Sequence, residues 1–407
     1  MVQRIFFVLG IVAASYFVKI YFFPNSNVLG IFDNKYCFNG ACFNFESNSP
    51  NQGNLAALNF PVDHGPHKDS YNESYIIHLD LNLSKNLKSN LPTNKAGSSN
   101  PAYYNKTKII STVTFNTTRD RNQVYDSMLV SSINSAVNTF AYSNLTGIFT
   151  NQINNGKLNT RFLPVDGSYN SSISFYESKD KSSNLTQMIL IGEIPNVGFV
   201  NLVFLQPNQN HILPWGDLRC NGIISVFNSN DTYIYSIPNY VVAGYILING
   251  YEYTVDGGLA SLDHTWSRGN EVNSFFNLTK NYWVRANFST NNNTKFDDLK
   301  YKDLASGRLY SFSAFSNDKY SYYAFKDSSG SNNCGKGVRI TPVNYYSDTL
   351  FPANLNVSFG DQNFEFTTRR KDEVMSIYGN KFVVSAANVK LNRNQNGAGY
   401  IITGKTK

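Results

Sequence analysis

Residues Tyr240–Trp266 read YVVAGYILINGYEYTVDGGLASLDHTW. An apolar run, Tyr240–Ile248, is followed by Asn249-Gly250 and then by Tyr251–Val255, rich in aromatic and β-branched side chains. Asn-Gly accepts the positive-φ positions of a tight two-residue turn, so two such runs around it form an antiparallel hairpin. Just past the hairpin an acid, an imidazole and an indole sit close together as Asp263, His264 and Trp266. Successive side chains on a strand point to opposite faces. His264 and Trp266 therefore share one face and Asp263 shares the other with Thr265, unless a bulge intervenes.

The same period-two signal extends in both directions. Ile77, Leu79, Leu81 and Leu83 alternate with His78, Asp80 and Asn82, a half-buried strand with His78 on its exposed side. Alternating or short apolar runs recur at Ile109–Phe115, Phe199–Leu205, Trp283–Phe288, Leu309–Phe315, Leu355–Phe366 and Tyr400–Thr403. One stretch has helical spacing: Leu129, Ile133, Val137 and Phe140 fall on a single face after Asp126, a suitable N-cap. Many short strands and one short helix predict an all-β chain built as barrels or sandwiches. A length of 407 residues suits two of them in tandem, 54–270 and 271–407, with 24–53 as a linker or N-terminal extension. Residues 86–106, rich in Lys, Ser, Asn and Pro, read as a long loop.

Composition supports this class. Charged residues are 15% against 42% hydrophobic and 15% aromatic, which excludes a disordered chain. The net charge of +7 is scattered, and its densest run, Arg369-Arg370-Lys371, is followed at once by Asp372 and Glu373. Nucleic-acid binders concentrate their cations, so no nucleic-acid partner is expected.

Residues 1–23 form a targeting segment. Arg4 precedes an apolar stretch, Ile5–Phe23, interrupted by Ser15 and Lys19. A signal peptide ending near Ala13-Ala14-Ser15 and an uncleaved signal anchor over residues 5–23 both fit, and both deliver the body to the secretory lumen or beyond. Twelve glycosylation sequons begin at Asn72, Asn82, Asn105, Asn116, Asn144, Asn170, Asn184, Asn230, Asn277, Asn287, Asn292 and Asn356, though a chain this rich in Asn produces most of them by chance. Cys37, Cys42, Cys220 and Cys334 are an even set compatible with 37–42 and 220–334 disulfides among three connectivities.

Motifs of the common enzyme classes are missing: no nucleophile elbow, no HExxH and no glycine-rich phosphate loop. His64 and His67 lie in a turn-like segment with no further metal ligands signalled nearby, so no metal or other cofactor is expected.

Gly258-Leu259-Ala260-Ser261-Leu262-Asp263-His264-Thr265-Trp266 resembles the Asp-His-x-Trp signature of the AttH-like, hydroxyneurosporene synthase (carotenoid 1,2-hydratase) superfamily, which also includes fungal Diels–Alderase-like proteins. Pro214-Trp215-Gly216-Asp217 and Gly222 before it, and Trp283-Val284-Arg285-Ala286 after it, are similar to the family's flanking segments, so the resemblance spans about residues 195–290. Ser267 stands where the family usually has Gly, and Leu262 where an aromatic residue is often found. The resemblance implies two tandem lipocalin-like domains holding a lipophilic molecule, an isoprenoid or polyene, in an apolar pocket. It implies cofactor-free hydration or cyclisation, a lyase or isomerase chemistry, with Asp263 as the acid and His264 as its partner or a polarising donor. Trp266, and less directly Trp283 and Tyr253, would line the pocket. A carboxyl in such a pocket keeps its proton at neutral pH, and aromatic faces stabilise a carbocation. A non-catalytic lipid carrier and, further behind, a structural extracellular glycoprotein are the alternatives; no oligomeric state is legible.

Overall fold

A computed structural model describes residues 35–38, 41–44, 67, 70–85, 106–120, 123–134, 139–151, 159–164, 172–179, 186–194, 197–205, 212–216, 220–226, 229–248, 250–267, 282–289, 309–317, 320–327, 331–346, 351–369, 374–377 and 382–404. The leader, nearly all of the 86–106 loop, His64 and the 268–281 junction lie outside this set. Cα packing divides the chain into a unit of residues 1–55 with 118–124 and a unit of residues 56–117 with 125–407. In the first unit, strands β1 (Lys35–Phe38) and β2 (Ala41–Asn44) form a hairpin whose register sets Cys37 opposite Cys42; their side chains are outside the described residues.

The first large sheet begins with β3 (Asn72–Lys85), β4 (Lys106–Asp120), β5 (Gln123–Asn134), β6 (Thr139–Asn151), β7 (Asn159–Pro164), β8 (Ile173–Lys179), β9 (Thr186–Ile194) and β10 (Gly198–Leu205), each beside the next. It continues with β11 (Leu213–Pro214), β12 (Ile223–Val226), β13 (Ser229–Ile248) and β14 (Tyr251–Ser267). β14 pairs antiparallel with β3 and β13, and β13 pairs with β10, so the sheet closes on itself. The hairpin expected around Asn249-Gly250 is the β13–β14 turn, with Gly250 at φ +82°.

The second sheet comprises β15 (Tyr282–Ser289), β16 (Leu309–Ser316), β17 (Ser321–Lys326), β18 (Asn332–Lys336), β19 (Arg339–Tyr345), β20 (Pro352–Phe359), β21 (Gln362–Thr368), β22 (Val374–Ile377), β23 (Phe382–Leu391) and β24 (Gln395–Gly404). β15 pairs with β24, which pairs with β23, joining two runs of neighbours. These curled antiparallel sheets make two tandem lipocalin-like barrels.

The helix expected around Leu129–Phe140 does not form. Leu129 and Ile133 lie on β5, Phe140 lies on β6, and Asp126 pairs with Gly147 across the two strands. Met128 and Val130, two positions apart on β5, are both buried. Inter-strand pairing on a half-buried surface outweighs a local i, i+4 spacing. Among the described residues no helix is long and apolar enough to cross a membrane.

Alternation on β3 sends Tyr75, Ile77, Leu79, Leu81 and Leu83 into the first barrel, where Phe115, Phe162, Phe175 and Phe204 join them. The opposite face of β3 and β14 is covered by the second sheet. Arg285 of β15 pairs with Asp263, the Tyr400 hydroxyl of β24 lies 2.9 Å from Ser261 Oγ, and Arg369 pairs with Asp80. Leu213, Trp215, Ile224 and Ile234 pack there against Trp283, Phe315 and Tyr322. The Cys220–Cys334 disulfide, with a Cα–Cα distance of 5.4 Å, ties the same joint.

This joint corrects the expectation for His78. It does alternate away from the barrel interior, but the second sheet lies over it and leaves it 7% exposed. Two sequons are corrected by the same packing. Asn72 and Asn287 are buried, the latter donating its amide to the Pro238 carbonyl, so neither offers room for a glycan in the folded chain. Asn82 and Asn116 are half-buried and Asn356 is exposed; the side chains at Asn105, Asn144, Asn170, Asn184, Asn230, Asn277 and Asn292 are outside the described residues.

Candidate functional site

Asp263 and His264 are neighbours in sequence that work on opposite sides of one sheet. A register shift between Val255 and Gly257, where β14 runs beside β3, sets the alternation that follows. From there Ala260, Leu262, His264 and Trp266 face the barrel interior. Ser261 and Asp263 face the second sheet.

On the inner face, register places Trp266 between Glu73 and Tyr233, and His264 between Tyr75 and Tyr235, on the strands β3, β14 and β13. His264 is fully buried. Its Nε2 lies 3.0 Å from Glu73 Oε1, and its Nδ1 lies 3.2 Å from the Tyr235 hydroxyl. His67, just before β3, sets its Nδ1 3.0 Å from the same Glu73 oxygen, and its backbone N–H donates to both carboxylate oxygens at 2.9 and 3.1 Å. The Tyr75 hydroxyl donates to Glu73 Oε1 at 3.4 Å. Rings close around these polar atoms: Tyr75 stacks on His264 at 4.0 Å, while Trp266 stacks on His67 at 3.8 Å and on Tyr233 at 5.0 Å. Burial on its own would raise the Glu73 carboxyl, but hydrogen bonds from His264 and His67 and their positive charge outweigh it and hold it well below the ordinary carboxylate range. Glu73 is therefore an ionised carboxylate that fixes two imidazoles. Chemically the group can hold a proton between an imidazole and a phenol, or offer two ring nitrogens and a carboxylate oxygen to a cation.

The remaining sequence candidates lie elsewhere. Asp263 accepts from Arg285 and from Ser236 Oγ, which sits 2.9 Å from the Trp215 indole nitrogen as its acceptor. Burial works against the Arg285 charge, but the adjacent Asp263 carboxylate raises its pKa beyond the ordinary value. His78 Nδ1 meets Thr112 Oγ1 at 2.9 Å, and its Nε2 lies 3.7 Å from Asp263. Burial, aided by the Arg285 charge, pushes this imidazole well below its usual range and keeps it neutral at pH 7. Asp263 is thus half of a buried ion pair in the joint, on the face of β14 turned away from His264. Trp283 lies in the same joint: it donates to Ser313 Oγ at 3.2 Å and packs edge-on against Trp215, away from His264. Tyr253 does face the first barrel's core, but eleven residues from His264, roughly 35 Å along a strand at about 3.3 Å per residue.

Two solved structures share this architecture. A protein of Nitrosomonas europaea assigned as AttH is 17% identical, with 86% of this chain and 97% of that one covered and a TM-score of 0.56. Kievitone hydratase of Nectria haematococca is 11% identical, with 86% and 94% covered and a TM-score of 0.52. The fold is AttH-like. No protein-family model and no curated protein matches the sequence. In this AttH-like fold the Asp-His-x-Trp segment is β14, the strand whose two faces serve the barrel interior and the joint.

Glu73 and Tyr235, central to the inner cluster, were not singled out from the sequence. The signal for Glu73 was available: counting back by two from Ile77 passes Tyr75 and reaches a carboxylate on the apolar face of its strand.

Proposed function

We propose that this chain is a hydratase-type enzyme of AttH-like fold, adding water to or removing it from a lipophilic isoprenoid or polyene at the inner end of the first barrel. The observation that carries the reading is the buried His264, held by Glu73 on one nitrogen and by Tyr235 on the other. In this reading His264 carries the working proton: its Nε2–H donates to the ionised Glu73 and its Nδ1–H donates to the Tyr235 oxygen. The Tyr235 O–H is left to protonate a substrate double bond, with His264 resupplying the proton. Water captures the resulting cation and returns its extra proton through Tyr235 to His264, which resets the site, and the reverse order of steps is dehydration. Trp266, Tyr75 and Tyr233 present π-faces that stabilise the cationic intermediate. Proton transfer of this kind needs no cofactor. In this reading residues 1–23 direct the chain into the secretory route.

The test uses full-length chain secreted from a eukaryotic host and a panel of acyclic isoprenoid alkenes, followed by lipid extraction and mass spectrometry. Wild type is expected to yield products shifted by one water, and Glu73→Gln and His264→Gln to lose about 10²–10⁴-fold in rate. A lipid that co-purifies and is left unchanged by wild type and both variants would make the protein a carrier and overturn the enzyme reading.

A further inference from the structure

We propose that His67, Glu73 and His264 form a three-ligand site for a divalent transition-metal ion of the zinc class; the proposal rests on the reading of this cluster as the working site, with the ion taking the place of the proton on His264 Nε2. The three residues come from separate places, the segment before β3, β3 itself and β14, yet His67 Nδ1, Glu73 Oε1 and His264 Nε2 all lie within 4.8 Å of one another. Both imidazole nitrogens are 3.0 Å from the carboxylate oxygen. Ligands bound at about 2.0–2.2 Å around a four-coordinate ion stand roughly 3.3 Å apart, so little movement is needed to receive one. Two imidazoles and one carboxylate are a donor set that suits zinc and its neighbours better than calcium or magnesium, which favour oxygen-rich sites.

The surroundings are those of a prepared ligand set. Glu73 is oriented by the His67 backbone N–H, the His67 ring by Trp266, and the His264 ring by Tyr75. The second nitrogen of His264 has Tyr235 as an outer partner, which would accept Nδ1–H once Nε2 is metal-bound and so fix the required tautomer. His67 is 20% exposed along its side chain, which gives an ion a route in. Three protein ligands leave at least one position open, the arrangement of sites that hold water or substrate on the ion.

The experiment titrates chelator-stripped full-length protein with Co²⁺ and with Zn²⁺, reading visible d–d absorption for the first and calorimetric stoichiometry for the second. One ion per chain is expected, with low-symmetry cobalt bands. His67→Ala and Glu73→Gln are each expected to weaken binding by a hundredfold or more, and Tyr235→Phe by about 10–100-fold. Circular dichroism confirms that each variant is folded, and His67→Ala removes the ligand with most exposure. Absence of a one-to-one complex, or binding unchanged in both His67→Ala and Glu73→Gln, overturns the metal site. Turnover of the stripped protein separates the two readings. Stripped protein that still hydrates in a Glu73-dependent way while binding no ion leaves the acid–base reading intact and removes this one. One-to-one binding without any turnover does the reverse.

Discussion

At the residue scale, Asp263 and Arg285 depend on each other. Both side chains are fully buried, and the guanidinium lies between the two sheets. Two charges removed from water are tolerable together, but a lone one is not. Asp263→Ala is expected to destabilise the chain by about 3–5 kcal/mol because Arg285 is left uncompensated. Asp263→Leu combined with Arg285→Met should recover most of that loss. Denaturant titration checks both, and a single variant within about 1 kcal/mol of wild type would show that the pair does not hold the joint. His264 and Trp266 were legible as a shared face from strand alternation alone. The partners of His264 were not, because Glu73 is 191 residues away and joins it only when β14 lies beside β3.

At the scale of the element, β14 owes its orientation to a few residues after the hairpin. Tyr253 lies on the core side before the register shift between Val255 and Gly257, and Leu262 and His264 lie there after it. An odd-numbered inner face becomes an even-numbered one. Gly258 follows the shift with φ at +132°, and a Cβ there would collide with the Asp80 carbonyl oxygen of β3. Gly258→Ala is therefore expected to cost on the order of 1–3 kcal/mol and to loosen the β3–β14 pairing. Amide hydrogen exchange across residues 76–83 reads this directly; unaltered protection and an unaltered melting temperature would sink the idea. The strands were legible because alternation and turn residues are local. The sequence around Leu129 misled because a spacing of four also fits a strand face, and only the neighbouring strands decide.

At the scale of the whole molecule, the joint has an apolar core of its own beside those of the two barrels. Trp215 and Trp283, quoted together as flanking segments of one motif, meet edge-on with centroids 5.8 Å apart. Nothing in the sequence marks them as partners, since each strand reads as half-buried without showing what buries it. The Cys220–Cys334 bond closes a loop of 114 residues across this joint. Loop-closure entropy gives such a bond about 4–5 kcal/mol, so Cys220→Ser is expected to lower the denaturation midpoint accordingly. An unchanged midpoint would show that joint packing alone fixes the two sheets. The covered outer face of β3 and β14 also restricts how such proteins can diversify. A first sheet recombined with the second sheet of a distant relative would bring Asp263, His78 and Asp80 against side chains chosen for other counterparts, so the two halves must vary as a matched pair.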